Sequence, residues 1–162
     1  PDIAKKNIAM PIEYAIPKVH RFLMDEGVRD ELCLMASGGI RNAMDVAKAI
    51  AMGADGCVIG TADLVAMECV RCSNCESGRG CARSIATTDA ELGYEIKEEW
   101  AEQRLVNMYM ALRKQWCEIL RQYGMRSMRE LIGRSDLLVH LDYLDEEERK
   151  KYQPAPKKKL IL

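Results

Sequence analysis

The chain has 162 residues, 48% hydrophobic and 30% charged, with a net charge of −1. That hydrophobic share suits one folded core and excludes a disordered tail. So even a charge balance gives no reason to expect nucleic acid or an anionic membrane as partner, and no apolar stretch reaches the ~20 residues of a spanning helix.

Residues 11–26 are predicted to form a helix, with Ile12, Ile16, Val19, Phe22 and Leu23 on one face. Pro11 suits its first turn and Gly27 its C-terminal cap. Pro17 is expected to kink or restart it. His20, within it, is read as a packed or surface residue rather than a ligand. Leu32 to Ala36 is a short apolar run, the pattern of a strand buried on both faces, and it ends in Ser37-Gly38-Gly39. Asn42 has the pattern of a helix N-cap, with Asp45 three residues on. Val46, Ala47, Ala49 and Ile50 give that helix its buried face, and Gly53 closes it. A second buried strand, around Cys57, Val58 and Ile59, finishes in Gly60-Thr61.

Residues 32–61 thus read as one strand–helix–strand unit with parallel strands. Both strands finish in small residues. Glycine lets a backbone approach a ligand closely, and consecutive N–H groups can cradle phosphate. Two such segments at the C-terminal ends of adjacent parallel strands resemble the phosphate site after the last two strands of a TIM barrel; the alternative is two ordinary glycine turns, and either segment alone is weak evidence.

Four cysteines follow within a short stretch: Cys69, Cys72, Cys75 and Cys81. Thiolates this close pair, bind metal or do redox chemistry. The spacing suits a loop around an iron–sulfur cluster. Zinc is the rival, although its sites usually come as two separated pairs. Disulfides suit a secreted protein, but Cys33, Cys57 and Cys117 sit singly in apolar segments and the total of seven is odd, which fits a reducing compartment. The expected location is cytoplasmic.

Thr87 to Leu92 offers capping residues. A long helix is predicted from about Ile96 to Tyr123, with Ala101, Leu105, Met108, Leu112, Trp116 and Ile119 on one stripe and Gly124 as its stop. A short helix, Met128 to Ile132, ends at Gly133. Residues 135–151 read as amphipathic and then charged, with Asp145 to Glu148 on a solvated face. Pro154 and Pro156 mark an extended tail, and Lys157, Lys158 and Lys159 keep it soluble. The ten methionines are read mainly as core fillers. Because the sequence opens at Pro1 in mid-pattern, a fragment or processed piece is expected.

The run A-S-G-G-I-R-N-A-M-D-V-A-K-A-I-A-M-G-A-D-G-C-V-I-G-T-A-D-L, then the cysteine loop, then I-A-T-T-D-A-E-L, resembles the FMN-binding domain of glutamate synthase. More loosely it resembles the glutamate synthase-related proteins, which include a subunit of methylamine–glutamate N-methyltransferase. The stretch Y-G-M-R-S-M-R-E-L-I-G-R-S-D-L-L is similar to the segment closing that domain. The resemblance covers residues 1–140 or so. It implies an α/β fold, the C-terminal part of an FMN-type TIM (β/α)8 barrel. Residues 1–66 would be its last β/α units, 67–88 an iron–sulfur loop, 89–152 C-terminal helices and 153–162 a tail.

The resemblance further implies that Ser37, Gly38, Gly39, Gly60 and Thr61 contact the phosphate or ribityl chain of FMN. Arg41 would either approach that phosphate or stay a solvent-facing charge. Cys69, Cys75 and Cys81 best fit a three-iron, four-sulfur cluster, and Cys72 would complete a four-iron, four-sulfur one. The implied reaction is reductive amination of 2-oxoglutarate by ammonia to glutamate. Electrons would come from ferredoxin or a pyridine-nucleotide reductase subunit, and ammonia from a glutaminase domain or subunit elsewhere. Ala82, where the family often has proline, and the Glu-Ser-Gly-Arg-Gly loop lean toward the related group. A methylamine-using enzyme on the same scaffold and a non-catalytic zinc or iron–sulfur module are the alternatives. The chain alone is expected to be inactive.

Overall fold

The computed structural model describes residues 8–75, 80–87, 89, 91, 93, 96–141 and 144–152. The expectations for the tail from Pro154 to Lys159, and for the 76–79 part of the cysteine loop, lie outside these residues. Helix α1 spans Ile12–Asp25, strand β1 Met35–Ser37, α2 Ala43–Ala51, β2 Gly56–Val58, α3 Gly60–Ala66, α4 Glu98–Gln122 and α5 Glu146–Tyr152. The protein is α/β, with a parallel two-stranded sheet in which Met35 pairs with Gly56, Ala36 with Cys57 and Ser37 with Val58. Helix α2 crosses between the strands and packs on β2 and α4.

Helix α2 forms where the sequence asks for it. Asn42 Oδ1 accepts the Asp45 N–H at 2.9 Å, satisfying an otherwise orphan donor of the first turn. Ala43, Val46, Ala47, Ala49 and Ile50 are buried. At its end Gly53 N–H reaches Ile50 O and Ala54 N–H reaches Ala49 O, the paired closure that needs a left-handed residue. Gly53 provides it with φ +119. Helices α1 and α4 close in the same way at Gly27 and Gly124. The stripe of α4 packs as expected, with Ala101, Leu112 and Ile119 buried and Met108 and Trp116 against the core.

Three expectations are corrected. Helix α1 runs unbroken through Pro17, with Pro11 at the N-cap position. Only Ile16 of its predicted face is buried, and Val19 and Phe22 are exposed, because among the described residues β1 and the turn Arg29–Glu31 are the elements it chiefly packs on. Strand β1 covers Met35–Ser37 rather than Leu32 to Ala36 and is not buried on both faces. Ala36 is buried, while Leu32 and Met35 are half exposed, and β2, expected to be buried too, has Cys57 half-buried and Val58 51% exposed, since among the described residues two strands leave one sheet face uncovered. The segment Gly60-Thr61 is no free turn but the first turn of α3. The methionines divide: Met52, Met108, Met125 and Met128 pack on the core, and Met10, Met24, Met35, Met44 and Met110 are exposed.

A buried arginine ties these elements together. Arg29, 7% exposed, donates from Nε to His20 Nδ1 at 3.0 Å, and from its terminal nitrogens to Leu32 O at 3.0 Å and Gly53 O at 2.9 Å. It also pairs with Asp55 Oδ2 at 2.9 Å. That carboxylate oxygen accepts the Leu34 N–H at 2.6 Å, while Asp55 N–H donates back to Leu34 O. His20 accepts at Nδ1, so the proton of its neutral ring sits on Nε2. Burial pushes the Asp55 carboxyl up. The hydrogen bonds from Arg29 and Leu34 and the nearby positive charge outweigh that and hold it below the usual aspartate range.

Two predictions follow from this packing. Replacing Arg29 with Met should cost about 2–3 kcal/mol, below the full cost of splitting a buried pair because 26% of the Asp55 side chain stays exposed. The Asp55 contribution is present above the unfolded value of ~3.9 and fades as pH falls through the lower folded value. Urea midpoints should therefore drop in the variant at pH 7, with a flatter acid limb than in the parent. Gly53→Ala adds a Cβ 2.3 Å from His20 Cγ, whereas one at Gly27 meets open space. The first should cost ~3 kcal/mol or more and the second only the ~1–2 kcal/mol of a left-handed backbone, read from the same midpoints.

Candidate functional site

Because the strands are parallel and in register, the segments after β1 and β2 leave the sheet side by side. Gly38 and Gly39 have φ of +109 and +70, and a Cβ built on either meets nothing within 4 Å. Their backbone is therefore bent as only glycine readily bends and is open to a ligand. Gly60 is equally open at the start of α3.

Together these segments line a cleft of about 1080 Å³. Ser37, Gly38, Gly39, Arg41, Gly60 and Thr61, the binding residues expected from sequence, all lie on its wall. Arg41 stands at the rim, its side chain 84% exposed and 3.9 Å from Asp45. The far wall was not foreseen. It comprises Val65 and Ala66 of α3, Arg71 of the cysteine loop, and Arg104, Asn107 and Met108 of α4. Nothing in the sequence says that α4 folds back over α3. Only the structure shows Tyr109 of α4 donating to Asp63 of α3 at 2.9 Å, a bond that, with burial, pushes the tyrosine's pKa up.

Helix α3 delivers the chain into the cysteine loop. Its closure uses the same paired bonds, Glu68 N–H to Val65 O and Cys69 N–H to Leu64 O. Here the left-handed residue is Glu68, with φ 68, in a conformation that costs a non-glycine residue about 1 kcal/mol or more. Its carboxylate supplies the reason: Oε2 binds Arg83 from the end of the loop, and Oε1 lies 3.7 Å from Arg104 of α4. One side chain thus clasps the start of the loop, its finish and the far wall of the cleft. Arg104 also donates to Ala66 O and stacks 4.9 Å over Trp100.

Within the loop Arg71, Ser73 and Ser84 also have positive φ, as does Gly80. Cys69 and Cys81 are half-buried, Cys72 and Cys75 exposed, and all four are free thiols. The Cys69 sulfur accepts the Arg71 N–H at 3.4 Å. Backbone amides of Ala86 and Arg83, then of Ile85 and Ser84, surround the Cys81 sulfur and outweigh its burial, lowering its pKa. Such amides favour a thiolate, the ligand form of cysteine. Among the described residues no three Cys, His, Asp or Glu side chains converge on one point, so the structure does not bring Cys69, Cys72, Cys75 and Cys81 together. Cys57, half-buried in β2, has its pKa raised by desolvation. No helix among the described residues is long and apolar enough to cross a membrane.

Residues 1–126 match the model of a protein family described as a conserved region in glutamate synthase. The chain is 41% identical over 138 residues, 85% of its length, to the archaeal glutamate synthase [NADPH] of Methanocaldococcus jannaschii. It is 33% identical over 152 residues, 90% of its length, to the glutamate synthase [NADPH] large chain of Azospirillum brasilense. It is 31% identical over 133 residues, 82% of its length, to ferredoxin-dependent glutamate synthase 2 of Synechocystis. The chain spans about a quarter of the length of the first of these relatives and a tenth or less of the other two: 27%, 10% and 8% respectively.

The opposed environments of two thiols give a direct check. In metal-free protein Cys81 should be alkylated by iodoacetamide at lower pH than an ordinary cysteine, and Cys57 only at higher pH. Peptide mass spectrometry across a pH series reads the difference.

Proposed function

The chain belongs to the glutamate synthase family, and on that footing we propose that it supplies the FMN-phosphate cradle and the iron–sulfur loop of a glutamate synthase-type oxidoreductase. The reading extends to an FMN-type TIM barrel, of which β1, α2, β2 and α3 would form the closing part. Its substrates would be 2-oxoglutarate and ammonia and its product glutamate. One observation carries the reading: two open, glycine-built strand ends and the cysteine loop share the walls of a single cleft.

The residues present suit both groups. A phosphate needs N–H donors without side chains in the way, and Gly38, Gly39 and Gly60 leave that space. Arg41 at the rim adds positive charge. The donor chemistry of Cys69, Cys72, Cys75 and Cys81 suits an iron–sulfur cluster, with backbone amides already on the sulfurs of Cys69 and Cys81. Drawing the four together would require the loop to close. When bound, FMN supplies hydride transfer and the cluster one-electron transfer. Around them the chain's own residues fix position: the register of β1 and β2 sets the spacing of the glycine segments, Val65 and Met108 contribute apolar wall, and Glu68 holds the loop against α4. Amides at the thiolates tune a cluster's potential.

Two of the relatives are named for NADPH and one for ferredoxin, so the electron donor would be of one of these classes. Free thiols suit a reducing compartment, and we place the protein in the cytoplasm.

The test is a content measurement on the full protein purified without oxygen. Flavin extractable as FMN, with iron and acid-labile sulfide in matching amounts, is the expected result. Zinc without sulfide would overturn the cluster, and loss of FMN binding in Gly39→Val, at φ +70, should accompany intact folding by circular dichroism.

A further inference from the structure

The cleft and the cysteine loop meet at one residue. Arg71 lies between Cys69 and Cys72, gives its backbone N–H to the Cys69 sulfur at 3.4 Å, and lines the cleft with Gly38, Gly60 and Arg104. Of the other cations nearby, Arg83 and Arg104 pair with Glu68, and Arg41 stands exposed at the rim, 3.9 Å from Asp45. The Arg71 side chain is exposed and has no ion-pair partner among the described residues. Its backbone is left-handed, φ 54, a conformation unfavourable for arginine that a bond at the Cys69 sulfur helps to hold.

We propose that Arg71 couples the two halves of the site, its guanidinium binding the phosphate of the cleft ligand when Cys69 is bound to metal. The inference rests on the flavin and cluster reading above and adds a residue and a linkage to it. Ligation of Cys69 fixes the sulfur that holds the Arg71 amide, and so fixes where the side chain starts. A guanidinium can pair a phosphate through two parallel hydrogen bonds, which rewards a set position. Loop metallation then tightens flavin binding, and by reciprocity bound flavin stabilises the metallated loop.

The experiment is a fluorescence titration of FMN, and separately of riboflavin, into the flavin-stripped full protein, with its cluster and after cluster removal. With the cluster present, Arg71→Gln should weaken FMN about tenfold, Arg71→Lys less, and neither should change riboflavin binding. After cluster removal the gap between the parent and Arg71→Gln should fall to about twofold or less. The cluster's visible absorbance, unchanged in Arg71→Gln, separates this from loss of loop structure. Equal FMN affinity in parent and Arg71→Gln, or the same loss with and without the cluster, overturns the coupling. A parent protein that binds riboflavin and FMN equally well overturns the phosphate contact, and one that binds no flavin overturns the reading beneath it as well.

Discussion

Arg29 is a charged side chain with almost no water around it, and the rest of the architecture is arranged to make that tolerable. A buried guanidinium without partners is strongly unfavourable. Here it meets an imidazole nitrogen, two backbone carbonyls and a carboxylate. These partners come from α1, from the approach to β1, from the closure of α2 and from the approach to β2. They are far apart in sequence, so satisfying one cation brings the start of each strand to a fixed place. The Leu34–Asp55 bonds then begin the parallel ladder, and three residue pairs later the strands end level. His20 fits only because Gly53 and Gly133 leave room: a Cβ on them would stand 2.3 and 3.0 Å from the ring.

The cleft inherits its geometry from that frame. Its glycine wall is set by strand register, and its other wall by side chains on α3, α4 and the cysteine loop. Glu68 ties that loop to α4. A glycine would close α3 with less backbone strain, but it could not grip Arg83 and Arg104. Local strain at one residue is thus offset by ion pairs that hold a much longer segment, a trade typical of sites where a loop must be poised rather than merely connected.

Much of the frame was legible in the sequence because its signals are local. Asn42 with Asp45, the glycines after α1, α2 and α4, and the apolar stripes of α2 and α4 each act within a turn or two. The strand–helix–strand unit and the gathering of Ser37, Gly38, Gly39, Arg41, Gly60 and Thr61 on one wall followed from them. What escaped depends on long-range packing. The fold-back of α4 that brings Arg104, Asn107 and Met108 to the cleft rests on contacts such as Tyr109 with Asp63. The role of Arg29 was invisible for the same reason: its partners lie scattered between His20 and Asp55. The helix opening at Gly60 was missed because glycine signals a turn more often than a first helical residue. The uncovered face of β1 was missed because a run of apolar residues reports hydrophobicity but not how many neighbours will cover it.

The level ending of β1 and β2 bears on how such sequences can drift. An extra residue between Gly38 and Gly60 would either break the closure of α2 at Gly53 or slip β2 by one position, turning each strand side chain to the opposite face. The two glycine segments would then no longer stand abreast. Among its described residues the stretch from Cys69 to Cys81 carries no such ladder. Its ends are clasped by a side chain, Glu68 on Arg83, and a clasp of that kind tolerates a change in the length of chain it encloses. Length variation among descendants of this gene should therefore collect among the cysteines and spare the interval between the glycines.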